Sequence, residues 1–375
     1  MHQKVRLGVI GCGAISGAYL GMAKNFPIVE LAACADLNPA VAKAQAEKFG
    51  VPKACSVEEL LVDPSIEIVI NLTIPKAHVP VSMQCLESGK HTYAEKPLGI
   101  DRNEARKMLD FAASKKLLVG CAPDTFMGAG IQTARKLIDD GAIGRPVAFT
   151  AFMLGRGHEH WHPSPEFYYD AGGGPMFDMG PYYLTALLQM LGPVKRLMGM
   201  ASIEIPERTI TSAPKFGKKM HVTTPDHVLG NLEFENGCVG TIATSFATRA
   251  AQYDGKHPIQ IFGTEGSMKV PDPNSFDGTV ELCKFGAGKD GKDDYVEVPH
   301  TFVKGYGRSV GAADMAYAIR TGRDFRANGQ QAFAVLELMQ GFLESSASGK
   351  EVRPTLKYTR PAPMPAHLPF GQLDD

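Results

Sequence analysis

Gly8-Val9-Ile10-Gly11-Cys12-Gly13-Ala14-Ile15-Ser16-Gly17-Ala18-Tyr19 is the stretch that decides the fold. Val5 to Ile10 reads as a short buried β-strand, and the glycine turn follows without a spacer. Gly11 permits a tight turn, and Gly13 lets the backbone come close to an anion. A helix that starts near Ala14 and Ile15 then turns its free N–H groups and the positive end of its dipole towards that anion. The spacing departs from G-x-G-x-x-G at one place, where Ser16 stands for the third glycine. Glycine turns are common, so the neighbouring elements must carry the reading.

They agree with it. Glu30 to Ala35 reads as a second buried strand, and Asp36 ends it about 25 residues after Gly11, where a dinucleotide fold places an acid for the ribose hydroxyls. A carboxylate there repels a 2′-phosphate, and Leu37-Asn38-Pro39 brings no arginine, so NAD is expected before NADP, with NADP still possible. Ala14, Ile15 and Leu37 complete the expected contacts of this first unit. The plain alternative makes Asp36 only the cap of a helix beginning at Pro39.

The 375 residues suffice for two domains with separate cores. A hydrophobic content of 44% and a charged content of 21% are those of an ordinary globular chain. The net charge of −1 offers no electrostatic case for nucleic acid or an anionic membrane surface. Seven cysteines stand singly, with no C-x-x-C pair, so neither a disulfide frame nor a zinc knuckle is expected. No apolar run reaches the roughly 18 residues of a membrane span, and Met1-His-Gln-Lys runs straight into the first strand, so a cytoplasmic protein without a leader is expected.

The first third of the chain alternates strand and helix. Strands are expected at 66–72, 91–94 and 117–121, with helices at 39–49, 78–88 and 103–115; this alternation implies a parallel, doubly wound sheet. Beyond Asp124 the pattern changes to a run of strands with few helices between them, where antiparallel pairing is expected. The expected fold is therefore an α/β Rossmann dinucleotide-binding domain over 1–124 and an α+β domain with a large, mainly antiparallel open sheet over 125–375. Gly286 to Asp293 is expected as a hairpin tip.

Three further clusters stand where a nucleotide enzyme needs them. Thr73, Pro75 and His78 leave the carboxyl end of the third strand and can line a cofactor; read alone, they are a proline turn ahead of a helix. Glu95-Lys96-Pro97 leaves the fourth strand, and the proline keeps Lys96 extended, aimed off the sheet edge. Lysine there can polarise a carbonyl or steady an alkoxide, although surface lysines are common. Gly172-Gly-Gly-Pro-Met-Phe-Asp178-Met-Gly-Pro-Tyr182 precedes an apolar helix. Pro181 belongs in that helix's first turn, which puts Asp178 at or near its N-cap, with Tyr182 four residues on. The plainer reading is a capping aspartate and core tyrosines.

Together these clusters resemble the glucose-fructose oxidoreductase / inositol dehydrogenase / rhizopine catabolism (Gfo/Idh/MocA) family over nearly the whole chain. Gly263-Thr-Glu-Gly266 and the late Asp314-Met-Ala…Ile319-Arg helix belong to the same likeness. The resemblance implies an NAD(P)-dependent dehydrogenase that moves a hydride between nicotinamide and a secondary alcohol or ketone of a sugar, cyclitol or related polyol. It implies that Glu95 contacts the nicotinamide ribose, Lys96 the reacting oxygen, and that Asp178 positions the substrate. The proton-transfer residue is commonly a histidine four places after that aspartate; here Tyr182 stands there, as in branches of the family where tyrosine does this work. Tyrosine, with an ordinary pKa of about 10, is a good acid near neutrality, and a cation such as Lys96 lowers it towards use as a base. The usual Asn-x-Arg-Phe after the fifth strand is replaced by Ala122-Pro123-Asp124-Thr125-Phe126, with Asp124 the candidate substrate contact. The resemblance further implies an active site between the domains and a homodimer or homotetramer joined through the open sheet face.

Gly157-His158-Glu159-His160-Trp161-His162 admits three readings. Alternating histidines on a strand can bind zinc, but Pro163 and the flanking glycines favour a loop, either at the surface or in the substrate pocket. Trp161 and His162 are the substrate candidates there, with no metal expected. Two rivals keep the same fold: a redox-neutral NAD-dependent glycoside hydrolase, and a non-catalytic sensor of nucleotide or sugar. Lys96, Asp178 and Tyr182 speak against the sensor.

Overall fold

In the computed structural model, which describes residues 2–249, 255–286, 294–366 and 368–374, the chain begins as its glycine turn demands. β1 (Val5–Ile10) is largely buried and passes through the turn into α1 (Ser16–Ala23). β2 (Val29–Ala35) leads to α2 (Pro39–Phe49). Asn38 caps α2 by accepting the Ala40 N–H at 3.1 Å, Pro39 opens it, and Gly50 closes it at φ 61°. Both ends of α2 match the expectation because each signal is local.

β3 (Lys53–Cys55) and α3 (Val57–Val62) lie outside the expected elements. Three residues leave no alternation to read, but α3 does carry a signal: Ser56 and Glu59 form a reciprocal capping box. β4 (Ile68–Asn71), α4 (His78–Glu87), β5 (His91–Ala94), α5 (Arg102–Ser114) and β6 (Val119–Cys121) complete the alternation. The six strands run parallel in the order β3-β2-β1-β4-β5-β6. The order reverses between β1 and β4, so the glycine turn sits at the switch point where open α/β sheets bind ligands.

After α6 (Ala129–Asp139) come β7 (Pro146–Leu154), α7 (Gly174–Asp178), α8 (Gly180–Leu191) and β8 (Val194–Ser202). A small hairpin of β9 (Glu207–Thr209) and β10 (Lys219–His221) stands apart from the large sheet. β11 (His227–Phe234), β12 (Val239–Ser245), β13 (Ile259–Gly263), β14 (Gly266–Val270), β15 (Val280–Lys284) and β16 (Val296–Val298) join β7 and β8 in an eight-stranded sheet, ordered β16-β15-β14-β13-β7-β12-β11-β8. Its pairings are antiparallel except β7 with β12. Residues 287–293 of the expected hairpin tip lie outside the described residues.

Along β11, Val228, Gly230, Leu232 and Phe234 are buried while Leu229 and Asn231 are exposed, so one sheet face is covered and the other open. α10 (Gly329–Ser348) covers the first: a Cβ on Gly230 would stand 2.2 Å from the Phe342 ring. Ser345 and Ser346 of α10 accept the Gly199 and Ala201 N–H groups of edge strand β8, at 3.0 and 2.8 Å. This satisfies an edge that otherwise invites pairing.

The contacts form two compact units, Met1–Gln132 with Thr301–Phe333 and Pro361–Asp375, and Thr133–His300 with Ala334–Arg360. A single cut at Asp124 leaves 301–333 and 361–375 in the second domain, whereas their contacts put them with the first. The reason is long-range: the Cys121 N–H donates to the Ala327 carbonyl at 3.0 Å, and α9 (Val310–Thr321) returns its amino end to Asp124. Among the described residues no helix is long and apolar enough to cross a membrane, and no group of three or more His, Cys, Asp or Glu is placed to hold a metal ion.

Candidate active site

Gly11 takes φ +97°, and a Cβ there would lie 2.8 Å from the carbonyl carbon and oxygen of Leu72, at the end of β4. At Gly13 a Cβ would meet nothing within 4 Å, so the turn is open at that point. Ser16 is fully buried, and its hydroxyl donates to the Gly13 carbonyl at 2.7 Å. The serine thus ties the turn down where a third glycine would only make room. Ala14 and Ile15 are exposed at the head of α1.

Asp36 accepts the Cys12 N–H on one carboxylate oxygen and the Asn38 N–H on the other, each at 2.8 Å. Asn38 is the cap of α2, so the reading of Asp36 as that cap fails. Asp36 instead braces the glycine turn from the end of β2. Leu37 beside it is 98% exposed. The open backbone at Gly13, the N–H groups at the head of α1 and this carboxylate fit a dinucleotide, with pyrophosphate over the turn and a ribose at Asp36.

Asn71, fully buried, organises the next loop. Its Nδ2 donates to the His78 carbonyl at 3.0 Å and to Ser82 Oγ at 3.1 Å, while its Oδ1 accepts the Thr73 hydroxyl at 2.6 Å. Thr73 and Pro75 are half-buried there. His78, expected to line the cofactor, is 1% exposed and is held at 2.6 Å from the Pro97 carbonyl and 3.0 Å from that of Thr73. It pins two loops together. Burial pushes its pKa down, against the two carbonyls that favour the charged ring.

Glu95 is buried after β5, where its carboxylate accepts Tyr19 Oη–H at 2.7 Å and the Lys96 N–H at 2.9 Å. Burial opposes its charge, but Arg308, Lys96 and the Tyr19 hydroxyl outweigh it and hold the carboxyl below its usual range. Lys96 is half-buried beside it. Asp124, the candidate substrate contact, is fully buried and accepts the Gly311 N–H at 3.1 Å and Arg308 at 3.5 Å. It anchors the amino end of α9, and burial pushes its pKa up despite Arg308. Arg308 thus serves two buried carboxylates, and nothing local in the sequence marks it.

In the second unit Asp178 is the last residue of the five-residue α7, and Met179, at φ −105° and ψ −28°, joins it to α8. Met179, not Asp178, occupies the cap of α8, and its side chain makes no capping bond. Asp178 Oδ2 instead accepts from His158 Nε2 at 2.9 Å. Tyr182, 5% exposed, lies in the first turn of α8. Residues 157–162 form a compact turn, with the Trp161 and His162 N–H groups both donating to the His158 carbonyl, at 3.2 and 3.0 Å. A strand with three histidines facing one way is therefore ruled out. Trp161 is 54% exposed and His162 half-buried, their rings 5.2 Å apart.

That turn is fastened from beneath. Arg208, on β9, reaches Glu159 at 2.9 Å, Asp226 at 2.7 Å and the Phe246 carbonyl at 2.8 Å. Tyr169 Oη–H donates to Glu159 and accepts the His158 N–H at 2.9 Å. His158, Arg208, Glu159 and Asp226 escaped the sequence reading as site residues; His158 at least stood inside a motif already singled out, whereas the arginine's partners lie far along the chain.

The switch-point turn and its carboxylate define the class as a dinucleotide-binding Rossmann protein. Residues 5–122 match the oxidoreductase family with an NAD-binding Rossmann fold, and residues 131–269 match the GFO/IDH/MocA C-terminal domain. The levoglucosan dehydrogenase of Pseudarthrobacter phenanthrenivorans is 28% identical over 294 residues, covering 71% of this chain and 73% of the relative. The trans-1,2-dihydrobenzene-1,2-diol dehydrogenase of Mus musculus is 31% identical over 272 residues, covering 71% and 74%. A crystal structure of levoglucosan dehydrogenase with NADH and levoglucosan shares the fold at TM-score 0.80 and 23% identity, covering 95% of this chain and 100% of the other. The chain belongs to the Gfo/Idh/MocA family of NAD-binding oxidoreductases.

Proposed function

We propose that the protein oxidises a secondary alcohol of a sugar, cyclitol or related polyol with NAD as the hydride acceptor. The observation that carries this reading is the retained Asp178-Met-Gly-Pro-Tyr182 junction of α7 and α8, in a family member that also keeps Glu95-Lys96-Pro97 after β5. Relatives named for levoglucosan and for a dihydrobenzenediol support a cyclic substrate carrying several hydroxyls. Bound NAD supplies the electrophilic nicotinamide carbon. Gly11, Gly13, Ala14 and Ile15 receive the pyrophosphate, Asp36 a ribose with Leu37 beside it, Thr73 and Pro75 border the ring side, and Glu95 takes the second ribose. His78 and Asp124 act one step back, by holding the loops.

On the alcohol, Asp178 orients a hydroxyl, Tyr182 removes the proton from the reacting one, and Lys96 steadies the oxygen as charge develops on it. A tyrosine in the common histidine position keeps the same task, because a phenol can both accept and return a proton. Trp161 offers an exposed aromatic face to the apolar side of a sugar ring, with His162 next to it. A second copy of this chain is the proposed partner, seated on the open sheet face where Met198, Met200 and Val239 are 51, 79 and 48% exposed. Seven free thiols suit a reducing compartment, and the cytoplasm is the proposed location.

The test is Lys96→Met and Tyr182→Phe, assayed for NADH on a panel of sugars and cyclitols. Each change should lower kcat roughly 10²–10⁴-fold while NAD binding persists, as expected for loss of a positioned proton-transfer or charge-stabilising group. Wild-type turnover by either variant removes its assigned role.

A further inference from the structure

Trp161, His158 and Asp178 form a directed chain of hydrogen bonds. Trp161 Nε1 lies 3.2 Å from His158 Nδ1, and His158 Nε2 lies 2.9 Å from Asp178 Oδ2. The indole nitrogen can only donate, so Nδ1 must accept and the ring proton must sit on Nε2. That is the tautomer which donates to the carboxylate. The indole donor and the carboxylate acceptor thereby select the same tautomer, and the histidine in turn holds the orientation of Asp178.

The ring has little freedom to do otherwise. Tyr168 and Phe246 flank it with centroids at 4.3 and 4.5 Å, and the indole closes a third side at 5.3 Å. The backbone beneath is fixed by the Tyr169, Glu159 and Arg208 contacts. Gly157 is needed for this approach: it takes φ +97°, and a Cβ there would stand 2.2 Å from Tyr169 Oη. Two aromatic walls, one donor and one acceptor thus over-determine the imidazole, which is how a supporting shell holds a functional carboxylate to a narrow geometry.

We infer that His158 is a positioning residue for Asp178, with its Nε2–H tautomer selected jointly by the Trp161 donor and the Asp178 carboxylate. This rests on the reading of Asp178 as the group that orients the substrate. Trp161 then has a second task beside any stacking on a sugar ring, and the two can be separated, because phenylalanine keeps an aromatic face and loses the donor.

The experiment uses the full chain in two arms. In the first, nitrogen-15-labelled histidine reports the His158 ring: the wild type should show Nε2 protonated and Nδ1 bare, Trp161→Phe should keep that tautomer through the Asp178 carboxylate, and Trp161→Phe combined with Asp178→Ala should mix the two tautomers. A wild-type ring protonated on Nδ1, or a double variant that keeps the wild-type tautomer, overturns the inference. In the second arm NADH formation from levoglucosan is followed in His158→Leu, His158→Gln and Asp178→Asn. His158→Leu should lose roughly 10- to 100-fold in kcat/KM with NAD affinity unchanged, the scale expected for a misplaced orienting group. His158→Gln, whose amide N–H can reach the Nε2 position, should recover most of that loss. Wild-type kcat/KM in His158→Leu beside a crippled Asp178→Asn overturns the inference and leaves the proposed function standing. Wild-type turnover in Asp178→Asn removes the orienting role from Asp178 itself, and with it the inference. If levoglucosan is not oxidised by the wild type, the proposed substrate class loses its first probe and the ring spectra decide the inference alone.

Discussion

Alanine at Gly11 and alanine at Gly13 should separate folding from cofactor binding, although the two residues share one turn. At Gly11 the φ of +97° costs an L-residue roughly 1–2 kcal/mol. The new Cβ would also stand 2.8 Å from the Leu72 carbonyl group, which is backbone and cannot swing away. Overpacking of this kind costs about 1–3 kcal/mol, so Gly11→Ala should lose roughly 2–5 kcal/mol in all. In a unit of this size the melting midpoint should fall by at least about 4 °C. At Gly13 nothing lies within 4 Å of the added carbon, and the stability change should stay within about 0.5 kcal/mol. The methyl projects instead into the open side of the turn and blocks close approach of a pyrophosphate. Losing one charge-assisted hydrogen bond is worth about 1.5–3 kcal/mol, roughly a 10- to 150-fold rise in Kd for NAD. Thermal melts without cofactor and calorimetric titration with NAD measure the two effects. A Gly13→Ala protein that binds NAD as tightly as the wild type, or a Gly11→Ala protein that melts where the wild type does, would overturn these assignments.

Asp36→Ala removes the negative charge at the ribose site and leaves the Cys12 and Asn38 N–H groups exposed to a new anion; the ratio of kcat/KM for NADP over NAD should rise about tenfold or more, and an unchanged ratio in initial-rate measurements would count against the ribose assignment. Arg208→Met strands the fully buried Asp226 together with Glu159, which should cost about 3–5 kcal/mol in chemical denaturation, and a stability equal to wild type would show the cluster to be dispensable. For Arg308→Met the cost should depend on pH. Glu95, held below its usual range, stabilises the fold above the ordinary carboxylate range and loses that effect as pH falls through its lowered value. Without the guanidinium Glu95 loses its largest lowering charge and Asp124, already raised by burial, rises further, so ionising each costs the fold more than in the wild type once pH passes about 4. The midpoint difference from wild type should therefore be larger at pH 7.5 than at pH 5, and a difference independent of pH would contradict the assignment.

The sequence alone determined the elements whose signals are local. The glycine turn after an apolar strand, the Pro39 start and Gly50 stop of α2, and the alternation of strand and helix sufficed for the doubly wound sheet. A run of strand patterns after Asp124 sufficed for the mainly antiparallel one. Each depends on residues a few places apart, where backbone sterics and capping act directly. Lys96, Asp178 and Tyr182 stood out as candidates for the same reason, as fixed spacings beside proline and glycine.

Which of those residues meet a neighbour from far along the chain depends on the packed fold. His78 became a buried staple because the Pro97 carbonyl arrives from another loop, and Asp124 became an anchor because Arg308 and Gly311 return to it from 184 and 187 residues away. His158 gained its place opposite Asp178 through Arg208 and Tyr169. Hydrogen bonds of that range leave no periodicity and no spacing in the sequence. Burial then fixes their charge state, and burial is a property of the packed chain.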